Sequence, residues 1–562
     1  MPAANPPAAP DALPPAAIAL TLALVGLVLP LHLPIDVDRT LPLLFIPALW
    51  LSWRVAAPQL SRWETLLLGW TACALVLSTA FAPNPAAALA MCAAIGLALS
   101  GAAVARRLAA SPYAVRLVLA GLLIGPLIGF ATVLAGWGAD RMFFPTYWSA
   151  RLFGAHAFSG ALAGLALLLL PGLKRPARIL VACGTLAAWT ALAWSGSRAP
   201  ALGLAVALLV WFWRADRPVR RALLIAVPVL GLLALACSRP LGIPYPQLGW
   251  WPAITRTVEA SNAFEITSQR TSYWEASWKD FKLSPLVGRG ADAYQFITPK
   301  QPGNQPHNTY LQWLLEYGLL GAPAFLLLLA RCLRPLLPSR SSRSSASVAG
   351  GDEFSGVARW ASAAIAGAAV YAFFDGVAYH MVAMMPLAVI AGLTWRSVPP
   401  NPLSGPIAAV VTRPPAAVRA AALLALVVLL LHTWLGQLLL HGHAVSPDSM
   451  PARALRIFPS TTHGLLNWTN RWLDEDATTG LAWVKWATTV SNQPAVFHLQ
   501  AAQFHLWAKD WPAAESELAA ALDKVTLSER PDVQHLLDEI RAIIANSSAP
   551  AAPPPTTPVA TP

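Results

Sequence analysis

The chain has 562 residues, of which 56% are apolar and only 12% are charged. Ordinary soluble domains contain roughly 45–50% apolar and about 25% charged residues, so a soluble protein with a single core is excluded. The net charge of +12 would suggest nucleic-acid binding if it were spread along the whole chain. Residues 1–440 instead carry 31 basic and 15 acidic groups, against 8 and 12 in residues 441–562, so we predict no nucleic-acid partner.

The apolar segments predict an all-α polytopic membrane protein with about thirteen transmembrane helices. Several runs approach or exceed the ~18 apolar residues that cross a bilayer. No Lys or Arg precedes the first run, so we expect this run to remain as a helix rather than to be cleaved as a signal peptide. The second span is short and is alternatively re-entrant. The predicted spans lie near residues 15–34, 41–53, 64–82, 86–105, 117–137, 152–172, 179–195, 199–213, 222–237, 307–330, 357–374, 378–395 and 420–440.

Basic residues are concentrated in alternate loops between these spans. One set of loops holds twenty Lys and Arg residues, and the intervening short loops hold four, namely Arg39, Arg141, Arg151 and Arg198. Because cytoplasmic loops carry the excess of Lys and Arg, the first set is assigned to the cytoplasm. The N-terminus is then cytoplasmic, and the C-terminus lies on the outer side of the membrane.

Two regions project to the outer side in this topology. The loop 238–306 is rich in Trp and Tyr, which suits either a sugar-binding platform or an aromatic belt at the lipid headgroups. Residues 441–545 show helical periodicity and include one tetratricopeptide-like pair of helices. The Pro/Ala/Thr-rich tail 546–562 is predicted to be disordered. The sequence thus divides into a transmembrane domain over 1–440, a helical domain and a tail.

The sequence predicts no metal ion and no cofactor. The five cysteines lie in or beside apolar runs without a CxxC pair, so neither a disulfide framework nor a zinc site is expected. His441 and His443, near Asp448, are interpreted as polar surface beside the membrane rather than as metal ligands.

A conspicuous polar motif opens the tenth predicted span. His307 is expected in the first turn of this helix, where the positive helix end disfavours protonation of the imidazole and leaves it able to accept a proton. Asn308 and Gln312 supply neutral hydrogen-bonding groups beside it. Glu316 is nine residues further along, roughly 13 Å by the helical rise, so we predict a buried carboxylate with its own partner.

Several charged residues are predicted to lie on the same outer side. Arg198 follows a short turn between two spans, where an arginine is costly unless it meets an anion or water. Arg270 and Arg289, in the outer loop, are candidates for holding phosphate oxygens, and a lipid diphosphate would be a suitable anion. Asp375 lies in the turn between the eleventh and twelfth spans, with His380 five residues on.

The residues from 150 to 395 resemble the O-antigen ligase and polymerase superfamily, which includes protein O-oligosaccharyltransferases. The resemblance rests on His-Asn-x-x-Leu-x-x-x-x-Glu-x-Gly-x-x-Gly at 307–321, Pro-x-x-Gly-x-Gly at 285–290 and Ser-Gly-Ser-Arg at 195–198. The family's Arg-x-x-Gly is also present as Arg151-Leu-Phe-Gly154. Here His156 follows, at a place where the family often has Asn-Pro-Asn or Gln-x-Asn.

The resemblance implies a type-C-like glycosyltransferase of the bacterial inner membrane that works without a metal. Such enzymes move a glycan from undecaprenyl diphosphate to an acceptor hydroxyl in the periplasm, and the acceptor is a glycolipid, a glycan or a protein. By position, His307 matches the catalytic histidine and Asp375 a late acidic residue. Arg198 and Arg270 match the periplasmic arginines.

Two other classes of function stay open from the residues alone. A transporter or lipid flippase would also have many helices and intramembrane arginines, although such proteins usually show related halves or broken helices, and neither is detected in this sequence. A membrane-anchored scaffold would account for residues 441–545 but would leave the motif at His307 without a purpose.

Overall fold

The structure is a computed structural model. It describes residues 13–28, 41–52, 60–82, 85–136, 147, 149–241, 249–260, 270–296, 305–337, 351–395, 423, 424, 427, 469, 476–491, 494–525 and 529–547. Within these ranges the secondary structure is helical throughout and contains no strand, which confirms the all-α prediction. The chain divides into two compact units, one of residues 1–294 and 303–438 and the other of residues 295–302 and 439–562.

The first unit contains fourteen α-helices in its described part. Each of the first twelve predicted spans overlaps one of these helices, and the predicted outer loop contains two more, α10 and α11. The helices are α1 Leu13–Val25, α2 Ile46–Ser52, α3 Arg62–Thr79, α4 Pro85–Leu108, α5 Pro112–Gly136, α6 Ala150–Leu169, α7 Arg175–Ser195, α8 Arg198–Arg214, α9 Arg217–Ser238, α10 Trp250–Val258, α11 Arg270–Phe281, α12 Thr309–Leu333, α13 Gly351–Ala372 and α14 Met381–Leu393.

Six helices in the described ranges are long and apolar enough to cross a membrane. The protein is therefore a multi-pass membrane protein. Three further apolar helices are shorter, at Pro15–Val28, Leu41–Ser52 and Met381–Leu393. The total of thirteen spans stays a prediction, and the thirteenth, at 420–440, lies almost entirely outside the described residues. The six segments are Met91–Leu108, Pro112–Ala135, Ala150–Leu169, Arg175–Ser195, Arg217–Ser238 and Thr309–Leu336.

Small residues allow the helices of this unit to pack closely. Helices α8 and α13 cross where Gly203 faces Gly367, and a Cβ atom on Gly367 would lie 2.2 Å from the Gly203 carbonyl oxygen. Within a membrane, such close approach replaces the hydrophobic driving force that is available in water. Helix α6 is buried along nearly its whole length and packs against α5 and α7. This places its first turn, with Arg151, among other helices.

Helix α12 is broken at Gly318, where the backbone has φ 61° and ψ −168°. The outer loop fills the break with its own backbone. Leu319 N and Leu320 N donate to the carbonyl oxygens of Pro285 and Leu286 at 2.8 and 2.9 Å. In the other direction, the N–H groups of residues 289 and 290 donate to the carbonyl oxygens of residues 315 and 316. These bonds replace the helical ones that the break removes.

The break corrects the sequence analysis, which found no broken helix. The apolar pattern continues through Gly318, so nothing in the periodicity marks an interruption. The glycines of the Pro-x-x-Gly-x-Gly and Glu-x-Gly motifs are explained by the docked loop, because Cβ atoms on Gly288 and Gly318 would lie 2.3 Å from facing carbonyl oxygens. The positions of these glycines in the sequence indicate a close approach of two backbone segments only when it is known that loop 285–290 contacts α12.

The second unit contains four described helices, α15 Ala477–Val490, α16 Pro494–Trp507, α17 Trp511–Leu522 and α18 Arg530–Ser547. Consecutive helices pack on one another, and α16 to α18 share a core of Ala, Val, Leu and Ile side chains. The tetratricopeptide-like character of this unit stays a prediction. Apart from Thr469, residues 441–475 lie outside the described residues, as does the tail from 548 onward.

Replacing Gly318 by Ala tests the docked loop. The new methyl group would occupy a left-handed backbone position and lie 2.3 Å from the Leu286 carbonyl oxygen, so the variant should lose roughly 1–3 kcal/mol of folding free energy or more. Thermal unfolding of the detergent-purified protein measures the effect.

Gly69→Ala is the matched control, because a Cβ atom at this helical position meets nothing within 4 Å. We expect the control to be neutral or slightly stabilising, since Ala has the higher helix propensity. Equal unfolding temperatures for the two variants would show that the loop does not depend on the glycine.

Candidate functional site

The site is built where the first turn of α6, the turn 195–198, the start of α11, the segment before α12 and the turn after α13 come together. His307 lies in the segment before α12, and Asp375 lies in the turn after α13. Both side chains are buried, with 7% and 3% of their residue surface exposed. A histidine and a carboxylate at such low exposure require polar partners within the protein.

His307 does not lie in the first turn of its helix, as the sequence analysis expected. Asn308 is the N-cap, and its side chain accepts hydrogen bonds from the backbone N–H groups of Tyr310 and Leu311. His307 precedes the cap and has φ 52°, a left-handed conformation that is uncommon outside glycine. In this conformation the ring faces Asp375 in the turn after α13. Backbone strain of this kind is often found at functional sites.

The imidazole of His307 contacts one carboxylate, that of Asp375, and one guanidinium, that of Arg151. Its Nδ1 lies 3.3 Å from Asp375 Oδ1, and Arg151 Nη1 lies 2.9 Å from Nδ1 and 3.2 Å from Nε2. A carboxylate only accepts and a guanidinium only donates. With the proton on Nδ1, the ring donates to Asp375, and Nε2 accepts from Arg151 at the longer of the two Arg151 distances.

Asp375 is held in place by its surroundings. Its Oδ1 also accepts a hydrogen bond from Gly376 N at 2.9 Å, and its carbonyl oxygen accepts one from the Thr309 hydroxyl at 3.0 Å. Burial by itself raises the pKa of the Asp375 carboxyl. The hydrogen bond with His307 and the charge of Arg151 outweigh burial and hold this pKa well below its usual range. Asp375 is thus a carboxylate that can orient the imidazole.

The pKa of His307 is lowered to about 4, mainly because burial disfavours the charged imidazolium. Asp375 raises this pKa and the charge of Arg151 lowers it, but neither reverses the effect of burial. A neutral imidazole was expected from the positive helix end, whereas in the structure burial is the main cause. At neutral pH the ring is a base that can accept a proton.

Arg270 lies beside the same turn. Its guanidinium donates to the carbonyl oxygen of Phe374, immediately before Asp375. Burial lowers the pKa of Arg270, Asp375 raises it, and the neighbouring charges of Arg151 and Arg198 lower it again. Arg151 and Arg270 therefore lie close to this carboxylate, and Arg198 lies near Arg270, which gives the site an excess of positive charge and makes it suitable for an anion.

Two sequence motifs meet to place Arg151 and Arg198. Helix α7 ends at Gly196, and the Ser197 hydroxyl donates to the Ala150 carbonyl oxygen at 2.9 Å. A Cβ atom on Gly154 would lie 2.7 Å from Cβ of Ser197, so this glycine lets the turn approach α6. The glycine of Arg-x-x-Gly therefore brings the starts of α6 and α8 together.

The remaining predicted residues have other partners. The Arg289 side chain faces Asp280 at 3.5 Å. Gln312 donates to Glu316 Oε1 at 3.0 Å, and the same oxygen accepts from Asp292 N at 3.1 Å. Glu316 therefore has partners of its own, as the helical distance from His307 predicted, and it lies where α12 meets the docked loop.

Residues that the sequence analysis did not select complete the site. Arg151 was counted only as one of four basic residues in outer loops, although the family's Arg-x-x-Gly was a signal for it. Tyr273 packs its ring 5.8 Å from the His307 ring. Gln305 lies two residues before His307, is buried, and forms a hydrogen bond with His380. A single sequence offers no pattern that singles out Tyr273 or Gln305.

These features define a polytopic membrane protein with a buried histidine–aspartate pair among arginines. Residues 183–326 match the family described as O-antigen ligase, and this match supports the resemblance of the motifs to the O-antigen ligase-related superfamily over that part of the chain. The match includes Arg198, Arg270 and His307, whereas Arg151 and Asp375 lie outside it. Among curated proteins, none matches the chain. The family indicates a glycosyltransferase-like enzyme whose partners are a lipid-linked glycan and an acceptor.

Titration of His307 tests the electrostatics of the site. We expect the ring to stay uncharged at neutral pH and to gain a proton only as the pH falls toward about 4, because burial lowers its pKa. In Asp375→Asn the pKa should fall further, since the carboxylate that raises it is gone. Histidine ¹⁵N NMR of the purified protein measures both values.

The spectrum of His307→Gln assigns the signal by its disappearance. A wild-type titration near the ordinary value of 6.5, or a higher pKa in Asp375→Asn, would contradict the arrangement.

Proposed function

We propose that the protein transfers a glycan from undecaprenyl diphosphate to an acceptor hydroxyl on the periplasmic side of the bacterial inner membrane. The observation that carries this proposal is the neutral His307 imidazole, held between Asp375 and Arg151 with further arginines beside it. This arrangement pairs a base that can accept a hydroxyl proton with cations that can hold a leaving diphosphate.

In the proposed reaction the acceptor oxygen attacks the anomeric carbon of the diphosphate-linked sugar. The hydroxyl proton passes to Nε2 of His307, and the bond between the anomeric carbon and the phosphate oxygen breaks. The bonding electron pair leaves with the polyprenyl diphosphate, and His307 later returns its proton to the product side or to water. Asp375 accepts from Nδ1 throughout and stabilises the transient imidazolium.

Arg151 has two tasks in this reaction. In the structure its guanidinium occupies the side of the ring where Nε2 would accept the proton. A bound diphosphate carries charge that attracts Arg151 away from the ring, which frees Nε2 for the acceptor. Together with Arg198 and Arg270, Arg151 then neutralises the diphosphate, and no metal is required in this scheme.

The positive-inside distribution supports placing this chemistry on the outer side. The second unit also projects there in the same topology and is a candidate for guiding the acceptor. A polymerase or a protein O-oligosaccharyltransferase has more use for such a unit than a ligase that acts on a small lipid core.

The broken helix bears on the transporter alternative. Transporters use broken helices to bind substrates with exposed backbone groups. At Gly318, the backbone groups of α12 are instead paired with the protein's own loop 285–290. This favours a structural role for the break and supports transfer over transport.

Loss of the base should nearly abolish transfer, while Gly376 N and the charge of Arg151 continue to stabilise the buried Asp375 carboxylate. For His307→Ala we expect the rate to fall by about 10²–10⁴-fold, the range for removal of a general base. The assay uses purified protein and a labelled glycan on synthetic undecaprenyl diphosphate, without ATP or added metal. His535→Ala is the control, because this histidine side chain is 76% exposed in the second unit.

Normal transfer by His307→Ala would remove the imidazole from the mechanism. Movement of the labelled lipid across the bilayer by the wild-type protein, without transfer, would favour the flippase alternative.

We expect Arg270 to contribute to binding of the donor diphosphate and Arg289 not to contribute. Arg270→Ala should lower kcat/KM for the donor by about 10²-fold, because a cation facing the developing diphosphate charge is lost. Arg270→Lys should recover part of this loss. Arg289→Ala should stay within about threefold of wild type, because Arg289 faces Asp280 rather than His307.

The same transfer assay measures all three variants. Equal losses in Arg270→Ala and Arg289→Ala would place the diphosphate nearer to Arg289 than proposed.

A further inference from the structure

Helix α10 presents an apolar stripe on its surface. Trp251, Ile254 and Val258 follow a spacing of three and four residues, which places them on one face of the helix. They are 61%, 48% and 78% exposed, while Ala253 on another face is buried against the protein. An exposed apolar stripe of this kind marks a surface that binds lipid or another apolar partner.

The stripe lies next to one of the site arginines. Arg198 Nη1 donates to the Thr257 hydroxyl at 3.0 Å. With 3.6 residues per turn, Thr257 is roughly 60° around the helix from Ile254, so the guanidinium flanks the stripe. Helix α10 therefore connects the cationic site to an apolar surface.

A second cation reinforces this connection. Arg256 lies on the same helix, and burial together with the charge of Arg198 lowers its pKa, so the two guanidinium groups are close to one another. An anion beside this pair would relieve their repulsion. A polyprenyl diphosphate combines the two properties in one molecule, because its anionic head suits the arginines and its branched apolar chain suits the stripe.

We propose that Trp251, Ile254 and Val258 bind the polyprenyl chain of the donor next to its diphosphate, so that α10 is the part of the protein along which the lipid enters the site. This inference rests on the proposed function. The stripe spans roughly 10 Å by the helical rise, which covers the part of the chain nearest the head group. The other possible occupant, ordinary bilayer lipid, is an outcome of the test.

The experiment uses the full-length protein in phospholipid nanodiscs and a prenyl diphosphate that carries a photoreactive diazirine in its first isoprene units. After irradiation, mass spectrometry locates the labelled peptide. We expect labelling of residues 250–258 that is lost when unlabelled prenyl diphosphate is added in excess. The corresponding prenyl alcohol should compete at least tenfold less well, because it lacks the charges that Arg198 and Arg256 attract.

The double variant Ile254→Asn/Val258→Asn should reduce labelling about five- to tenfold, because two apolar contacts are removed from exposed positions where folding does not depend on them. Leu283→Asn is the matched control, since Leu283 is 71% exposed in the same outer loop and lies outside α10. Its labelling should stay within about twofold of wild type.

Labelling elsewhere, or labelling of α10 that prenyl diphosphate does not displace, would overturn the inference and leave bilayer lipid as the occupant of the stripe. Because the probe carries no glycan, its binding is independent of transfer. A negative result in the transfer assay would therefore contradict the proposed function, and the labelling experiment would still show where the prenyl chain binds.

Discussion

The contact between His307 and Asp375 is the constraint on which the site depends. It joins residues 68 positions apart, at 3.3 Å between Nδ1 and Oδ1, and both groups are buried. Neither side chain is stable there alone, because a buried carboxylate needs donors and a buried imidazole needs an acceptor. The pair favours the tautomer with the proton on Nδ1, and Nε2 then faces Arg151 at 3.2 Å.

Glycines hold the rest of the site around this pair. Gly154 lets the turn 195–198 approach α6, which brings Arg151 and Arg198 together. Gly288 and Gly318 let the outer loop dock into the break of α12. The backbone hydrogen bonds at the break hold residues 285–290 of this loop against the helix that follows His307. The motif glycines thus act through close backbone contact, and they place charged side chains that lie far apart in the sequence.

The sequence identified the residues of the candidate site better than their geometry. His307, Arg198, Arg270 and Asp375 were selected from their motifs and from the charge pattern, and the structure places all four in one region of the first unit. The placement of His307 within a helical turn was wrong, because periodicity does not reveal that Asn308 caps the helix. Asn308 follows the helix-capping preference of its residue type, which the sequence alone could have indicated.

Other features were out of reach of a single sequence. The partnership of Arg151 with the ring joins residues 156 positions apart, and no local pattern encodes it. Arg289 was a candidate phosphate ligand because it lies in the outer loop, yet its side chain faces Asp280 while its backbone pairs with α12. The direction of a side chain in a loop depends on tertiary contacts.

The most direct measurement is a cryo-electron microscopy structure of the protein in nanodiscs with a bound prenyl diphosphate. We expect phosphate oxygens within hydrogen-bonding distance of Arg198 and Arg270, and Arg151 displaced from the ring so that His307 Nε2 faces the outer phosphate. A diphosphate bound on the cytoplasmic side, or one far from His307 with Arg151 still on the ring, would contradict this expectation.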